Sequence, residues 1–138
     1  MITNEVKEQL IADYPTFEEG CRKFFNKEMS MPEYKKFSGQ FGSYAERGMQ
    51  SAMSRWRFAG GEITQDQLKF MAEAIRKHNC EHIHFTSGQG IQMHGLDGET
   101  VLELYKECYE AGIYNRGAGG DNVSNFGSSP LHGVDPNE

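Results

Sequence analysis

The sequence has few cysteines, no long apolar run and no excess of positive charge. Its three cysteines, Cys21, Cys80 and Cys108, are widely spaced and form no Cys-x-x-Cys pair, so the usual zinc and iron–sulfur patterns are missing and we expect reduced thiols. No segment approaches the roughly 20 apolar residues that a membrane helix needs, and the N-terminus lacks the basic and apolar stretches of a signal peptide. These absences predict a cytoplasmic protein with no membrane partner.

The charge balance also argues against a nucleic-acid partner. The chain has 14 lysines and arginines against 20 aspartates and glutamates, which gives a formal net charge of -6. A surface of this sign repels nucleic acid, so we expect no nucleic-acid partner, and any anionic ligand must be bound by a local cluster of positive groups. At 138 residues the chain is long enough for one main folded unit.

The composition divides the chain into three parts. Residues 1–50 predict a helical N-terminal extension, in which Pro15 and Pro32 are expected to break helices. Residues 51–127 contain the regular periodicities of the main domain. Residues 128–138 are the remaining C-terminal segment.

The main domain alternates between two periodicities. Strands are predicted at 51–58, 80–86 and 90–96, where apolar and polar residues alternate. Helices are predicted from Thr64, with Gln67 completing a capping box, and over 98–111, where Gly112 ends the helix. The predicted buried stripe of the first helix consists of Leu68, Met71, Ala72 and Ile75, and that of the second helix of Val101, Leu104, Tyr105 and Cys108. The glycine-rich NRGAGGD reads as a flexible connection to a last short strand, NVSNF, at 122–126. The order strand, helix, strand, strand, helix, strand predicts an α+β fold, a ferredoxin-like βαββαβ sandwich.

In this fold two helices cover one face of the sheet and leave the other face open. The alternation assigns Trp56, Phe58, Ile83, Phe85, Ile91 and Met93 to the covered face. The open face then presents mainly cationic and hydrogen-bonding side chains, namely Arg55, Arg57, His82, His84, Thr86, Gln92 and His94.

Two arginines at i and i+2 on one strand are the strongest chemical signal of this face. Arg55 and Arg57 would present two guanidinium groups side by side, which suits carboxylates and small oxyanions. The alternative is a pair of solvated arginines with no ligand.

Two other kinds of site receive less support. Cys80, His82 and His84 alternate on one strand near His94, yet three such ligands lie about 7 Å apart from neighbour to neighbour and do not converge on one small ion. No metal site is therefore predicted. An RNA-binding sheet needs aromatic side chains on its open face, and here those positions hold arginine, glutamine and histidine.

Several motifs in register resemble one known family. FGSYAERG, MSRWRFAGGEITQDQL, TSGQGIQMHG and GGDNVSN resemble the ferredoxin-like half domain of sirohaem-type nitrite and sulfite reductases, over about residues 41–136. The resemblance implies a sirohaem bridged through cysteine to a four-iron four-sulfur cluster, both completed by downstream domains of the same chain. It also implies that residues 128–138 are a linker to a further downstream domain, so that the chain is the N-terminal fragment of a larger protein, and it implies an electron donor such as ferredoxin or a reductase subunit.

The resemblance further implies roles for individual residues. Arg55 matches an arginine that binds the substrate anion and is the candidate catalytic residue. The candidate cofactor-binding residues are Arg57, His84, Thr86, Gln89, Gln92, His94 and Asn125. The chain departs from the family pattern at Gly88 and Ser124, where the family has arginine.

The predicted function is therefore that of one half of a sirohaem and oxyanion site in a nitrite or sulfite reductase-like oxidoreductase, inactive as this chain alone. The alternative is a diverged, non-catalytic binding module for a tetrapyrrole or a small anion. The residues do not choose between nitrite and sulfite. Since one sheet face is open, the chain is also a candidate to form a homodimer through that face.

Overall fold

The computed structural model describes residues 3–48, 50–119, 125–131 and 133–136. The helices are α1 (Asn4–Phe25), α2 (Met31–Ser38), α3 (Gln65–Lys77) and α4 (Gly98–Glu110). The strands are β1 (Ser43–Ala45), β2 (Ala52–Arg57), β3 (His82–Phe85) and β4 (Gly90–Leu96). Short 3-10 turns lie at Gly39–Phe41 and Ala59–Gly61. In the part of the chain described, no helix is both long and apolar enough to cross a membrane.

The first helix corrects one expectation from the sequence. Pro15 does not break α1 but lies inside it, and the helix continues to Phe25. A proline removes one backbone hydrogen bond and costs about 3 kcal/mol in a helix. The cost is offset because α1 packs along α4 and α2 and buries Phe17, Cys21 and Phe24. Pro32, also expected to break a helix, lies instead in the first turn of α2, where a proline is tolerated.

The two helices of the main domain begin where the sequence predicts. Thr64 accepts a hydrogen bond from the Gln67 amide, and the Gln67 side chain accepts one from the Thr64 amide, which confirms the capping box. Asp97 caps α4 by accepting from the Thr100 amide at 2.8 Å. Of the apolar stripe predicted on α3, Met71 is buried and Ala72 and Ile75 are half-buried, whereas Leu68 is exposed; Ala74 is buried in addition.

The four strands form one antiparallel sheet in the order β1-β2-β4-β3. The central pair, β2 and β4, places Arg55 opposite Gln92, and β3 places His84 opposite Gln92 from the other side. The edge beside β2 is occupied by β1, which the sequence did not predict, and by an isolated bridge between Arg57 and Tyr114. Of the strand expected at 122–126, residues 122–124 lie outside the described residues, while the described Asn125 and Phe126 are not in a strand.

The core lies between the sheet and α4, and both α1 and α3 contribute buried side chains to it. Trp56 is fully buried from β2 and meets the ring of Tyr105, with the two ring centroids 5.0 Å apart, and Phe17 of α1 also stacks on Tyr105. Ile83 and Phe85 were expected under the helices but are exposed, at 36% and 64%. Their strand β3 is the outer edge of the sheet, where the helices do not reach far enough to cover them.

A close contact between α1 and α2 gives a first testable prediction. A Cβ at Gly20 would overlap the ring of Phe37. We expect Gly20→Ala to lower the free energy of unfolding by about 1–2 kcal/mol, because the overlap costs more than the better helix propensity of alanine returns. Urea unfolding measures the change. Thr16→Ala, an exposed substitution on the same helix, is the control, and a Gly20→Ala protein as stable as this control would contradict the prediction.

Candidate functional site

The open face of the sheet contains a cleft of about 340 Å³ beside β2, which we call the arginine cleft. Its lining consists of Tyr44, Arg55, Trp56, Arg57, Thr86, Gly88, Gly90, Gln92, Gly117, Ala118, Gly119 and Asn125. Arg55 and Arg57 point to this face because they alternate with the buried Ser54 and Trp56 along β2. The predicted pair of guanidinium groups on one face is therefore present.

Each arginine is held by neutral groups. Arg55 Nη1 donates to the carbonyl of Ala118 at 3.2 Å, and its guanidinium lies 5.7 Å from the centroid of the Tyr44 ring. Arg57 Nη1 donates to the carbonyl of Arg116 at 3.1 Å, and its guanidinium lies 5.5 Å from the Tyr114 ring. No described carboxylate lies within salt-bridge distance of either arginine, so both retain their positive charge for a ligand.

One donor of Arg57 lacks an acceptor. The Nε of Arg57 is buried and makes no hydrogen bond within the described residues. A buried unpaired donor on a charged group is costly. Because this nitrogen is shielded from solvent, a ligand in the cleft would not reach it as the side chain stands, and the positive charge of the two guanidinium groups is what suits an oxyanion or a carboxylate there.

The segment after α4 forms one wall of the cleft rather than a loose connection. Gly117 donates its amide to the Gln40 carbonyl at 2.8 Å, and Ala118 donates to the Asn115 carbonyl at 2.9 Å. Gly117 has a φ of 73°, a left-handed conformation that favours glycine. The glycine-rich stretch therefore brings its backbone close to Arg55 and Tyr44, at least as far as residue 119.

The turn between β3 and β4 explains the composition of TSGQG. Thr86 Oγ1 accepts from the Gly90 amide at 3.0 Å, which closes the turn and leaves Thr86 on the cleft. A Cβ at Gly90 would lie 2.8 Å from the Trp56 carbonyl, so only glycine allows this close approach between the strands. Gln89 adopts a φ of 58°, a conformation that is uncommon for a residue other than glycine.

Gln89 and Asn125, both candidate cofactor-binding residues, make their hydrogen bonds to the backbone. Gln89 Nε2 donates to the Ser128 carbonyl at 2.9 Å, while its Oε1 accepts from the Ser128 amide at 3.1 Å. Asn125 Nδ2 donates to the Phe58 carbonyl at 2.7 Å. Asn125 still lines the cleft, but Gln89 lies outside it, against a neighbouring groove that the C-terminal segment helps to form.

The candidate histidines lie away from the cleft. His84 is exposed on the edge strand β3. His94 is half-buried, stacks on His82 with ring centroids 4.4 Å apart, and donates from Nδ1 to Glu46 at 2.8 Å. Of the eight candidate residues, the structure therefore brings Arg55, Arg57, Thr86, Gln92 and Asn125 to the cleft and leaves His84, Gln89 and His94 outside its lining.

The remaining potential metal ligands among the described residues are engaged with other groups of the protein. The Cys80 thiol donates to the carbonyls of His82 and His94, each at 3.2 Å, and burial raises its pKa. Within the described residues one group of three ligand atoms lies within 4.8 Å, from His78, Glu103 and Glu107. Lys77 forms an ion pair with Glu107, so the charge of that carboxylate is already compensated.

Sequence reasoning missed Tyr44, Glu46 and the backbone of Ala118. Tyr44 and Glu46 lie in FGSYAERG, a motif that was noticed, but its three-residue strand is too short to show alternation. Glu46 binds His94 across 48 residues of sequence, which no local pattern reveals.

Glu46 gives a pH-dependent prediction. Burial alone would raise the pKa of Glu46, but hydrogen bonds from Ser51, His94 and the Gly95 amide hold it below its ordinary value of 4.5. The unfolded chain then takes up a proton before the folded chain does, so this contribution to stability is present above pH 4.5 and is lost as the pH falls through the lower folded value. Glu46→Gln should therefore show a shallower loss of stability than the original protein below about pH 5.

The measurement is urea unfolding at a series of pH values between neutral and acidic. Glu8→Gln, an exposed carboxylate on α1, is the control and should keep the pH dependence of the original protein. If the free energy of unfolding fell with pH equally steeply in Glu46→Gln and in the original protein, Glu46 would contribute nothing to the pH dependence of stability.

The fold and the cleft together define an α+β domain with a cationic, glycine-walled cleft on an open antiparallel sheet. Residues 47–111 match the family model described as the nitrite/sulfite reductase ferredoxin-like half domain. Similar proteins include the assimilatory ferredoxin-dependent nitrite reductase of Haloferax mediterranei, 31% identical over 96 residues, and the chloroplastic ferredoxin–nitrite reductase of Spinacia oleracea, 32% identical over 89 residues. Residues 47–111 therefore carry a ferredoxin-like half domain of the nitrite and sulfite reductase type.

The structural comparison supports the fold. The structure of the Mycobacterium tuberculosis NirA protein superimposes with a TM-score of 0.69 at 19% identity, over 93% of this chain and 25% of that one. The α+β, ferredoxin-like class is thus confirmed. The two nitrite reductases are matched over 62% of this chain, which covers only 16% and 15% of their lengths.

Proposed function

We propose that this chain forms one half of a sirohaem and oxyanion site in a nitrite/sulfite reductase-like oxidoreductase. The arginine cleft is the observation that carries the proposal. It combines two guanidinium groups that form no ion pair with a described carboxylate and a backbone wall of small residues. Such a site binds a small anion and stabilises negative charge that develops on it.

The residues of the cleft fit the anionic groups of a sirohaem. Arg57 and Thr86 would bind peripheral carboxylates, while Arg55 would bind the substrate anion. When bound, the sirohaem would supply the iron at which the anion is reduced, with the electrons delivered to it from the electron donor. Gly88 leaves room at the cleft, since a Cβ there would meet only Thr86 Oγ1, at 3.8 Å.

A four-iron four-sulfur cluster does not fit the cysteines of this chain. Cys21 and Cys108 are buried in the core, and burial raises the pKa of Cys21 to about 11 and that of Cys108 well above its ordinary value. Cluster ligands are thiolates, which these environments disfavour. In the proposed enzyme the cluster is bound by downstream domains of the same protein.

The partners follow from the same proposal. Several relatives are named as ferredoxin-dependent, so we propose ferredoxin or an equivalent reductase as the electron donor, and a cytoplasmic location remains our prediction. The competing function is a non-catalytic module that binds a tetrapyrrole or a small anion through the same cleft. The uncovered side chains of Ile83 and Phe85 favour a covering domain or a second copy in either case.

The proposal is tested by the ultraviolet–visible spectrum of the longest native form of the protein, purified without oxygen from cells that make sirohaem. We expect tetrapyrrole bands that shift on addition of nitrite or sulfite. Tetrapyrrole bands without turnover or an iron–sulfur signal would favour the binding module. A colourless protein from such cells would refute both the sirohaem site and the tetrapyrrole-binding module.

A further inference from the structure

Four side chains on the open sheet face form a continuous series that ends at Arg55. Glu46 follows β1, His94 and Gln92 lie on β4, and Arg55 lies on β2. The Nδ1 of His94 is 2.8 Å from Glu46 Oε1, and its Nε2 is 3.3 Å from the Gln92 amide. Glu46 is itself held through its second oxygen by Ser51 and the Gly95 amide.

The amide of Gln92 satisfies all its neighbours in only one orientation. With its oxygen toward His94, its NH₂ group faces the donors of Arg55, so donors oppose donors. With the amide turned, its oxygen accepts from Arg55 Nη2 at 3.0 Å and from Nε at 3.1 Å, and its nitrogen donates to His94 Nε2 at 3.3 Å. This orientation requires a neutral His94 that carries its proton on Nδ1, which is the tautomer that Glu46 selects.

We propose that Glu46, His94 and Gln92 are positioning residues that hold the Arg55 guanidinium in the arginine cleft without neutralising it. Glu46 determines which nitrogen of His94 carries the proton, and His94 in turn determines the orientation of the Gln92 amide. The Gln92 oxygen then holds the Arg55 guanidinium in place by accepting two hydrogen bonds from it. The proposal rests on the proposed function only in that Arg55 is taken as the anion ligand.

The indirect arrangement has a physical advantage over a direct ion pair. A carboxylate at the position of Gln92 would hold Arg55 equally well but would cancel most of its field at the cleft. Here Arg55 is held by two neutral acceptors, Gln92 and the Ala118 carbonyl. The nearest carboxylate of the series, Glu46, acts through two intervening groups, so the charge of Arg55 remains available to an anion.

Protonation of His94 would reverse the orientation of the Gln92 amide. An imidazolium donates from both nitrogens, so the Gln92 oxygen would turn to His94 and Arg55 would lose two hydrogen bonds. The imidazole of His94 faces the Glu46 carboxylate and the Gln92 amide, and the His82 ring stacks on it. The backbone carbonyl of His94 accepts hydrogen bonds from the Cys80 thiol and the Glu81 amide. Arg55 faces it from β2 through Gln92.

The first test reads the tautomer of His94 in the whole 138-residue chain by nitrogen-15 NMR of the imidazole rings near pH 7.5. We expect the proton on Nδ1, whereas the free side chain prefers it on Nε2. A proton on Nε2, or an imidazolium at this pH, would overturn the proposal. No variant is needed, so this test does not depend on the folding of a mutant.

The second test compares two substitutions of Gln92 by the exchange of the Arg55 Nε–H with solvent and by its shift on adding sodium nitrite. Gln92→Met should speed the exchange about tenfold, because the acceptor is lost. Gln92→Glu should keep the exchange slow but weaken the nitrite response about tenfold, because the charge is cancelled. Gln65→Met, an exposed substitution at the start of α3, is the control and should change neither readout.

The outcomes separate this inference from the proposed function. Unchanged exchange in Gln92→Met, or a nitrite response in Gln92→Glu equal to that of the original chain, would overturn the positioning roles. The expected tautomer and exchange without any nitrite response at Arg55 would instead count against the proposed anion site and leave the series intact.

Discussion

Arg55→Ala is expected to weaken binding of nitrite or sulfite by about 10- to 100-fold in the longest native form of the protein while leaving its thermal stability nearly unchanged. A charge-assisted hydrogen bond contributes about 1.5–3 kcal/mol, and alanine removes it together with the positive charge that faces the cleft. The contribution of Arg55 to folding is small, because its side chain is only half-buried and its partners are a carbonyl and a neutral amide.

The measurement is titration of the purified protein with each anion, paired with a thermal unfolding curve. Arg76→Ala, which removes an exposed arginine from α3, is the matched control for the change in net charge. If Arg55→Ala lost stability and anion binding to the same extent, or if the control lost affinity equally, Arg55 would not be the anion ligand.

Trp56→Ala is expected to have the opposite effect and to lower the free energy of unfolding by about 3–5 kcal/mol. Trp56 is fully buried between the sheet and α4, and its ring meets Tyr105 edge-on with the ring centroids 5.0 Å apart. Removing it leaves a large cavity in the middle of the core. A domain of this size typically has 5–15 kcal/mol of stability, so the loss is a large share of the total.

Trp56→Phe is the control for this prediction. Since the indole Nε1 has no hydrogen-bond partner in the described part of the chain, phenylalanine loses volume but no polar contact, and we expect a much smaller loss. Both changes are read by urea unfolding, followed by circular dichroism because the only tryptophan is altered. A Trp56→Ala protein within about 1 kcal/mol of the original would mean that the core is not centred on this residue.

The two predictions separate the faces of a single strand. Arg55 and Trp56 are neighbours in β2, yet one faces the cleft and the other the core, because successive side chains of a strand point to opposite sides. Substitutions one residue apart should therefore affect ligand binding and folding almost independently. A result in which both affected the same property would argue against the observed register of β2.

Much of the fold could be predicted because its signals are local. The alternation along β2 and β4, the capping box at Thr64 and the buried stripe of α4 each depend on residues within one or two turns. The same local reasoning failed where packing decided the outcome. Pro15 lies inside a helix that its contacts stabilise, and Leu68 is exposed although Met71, the next residue of the predicted stripe, is buried.

By itself, the sequence determined the order of the main helices and strands and the face on which Arg55, Arg57 and Gln92 lie, because backbone periodicity sets both. Only the tertiary structure decided which polar groups meet. It paired Glu46 with His94 across 48 residues, joined Gln89 to Ser128 across 39, and brought the wall at Ala118 to Arg55. Contacts of this kind depend on how the elements pack, and no local pattern encodes that packing.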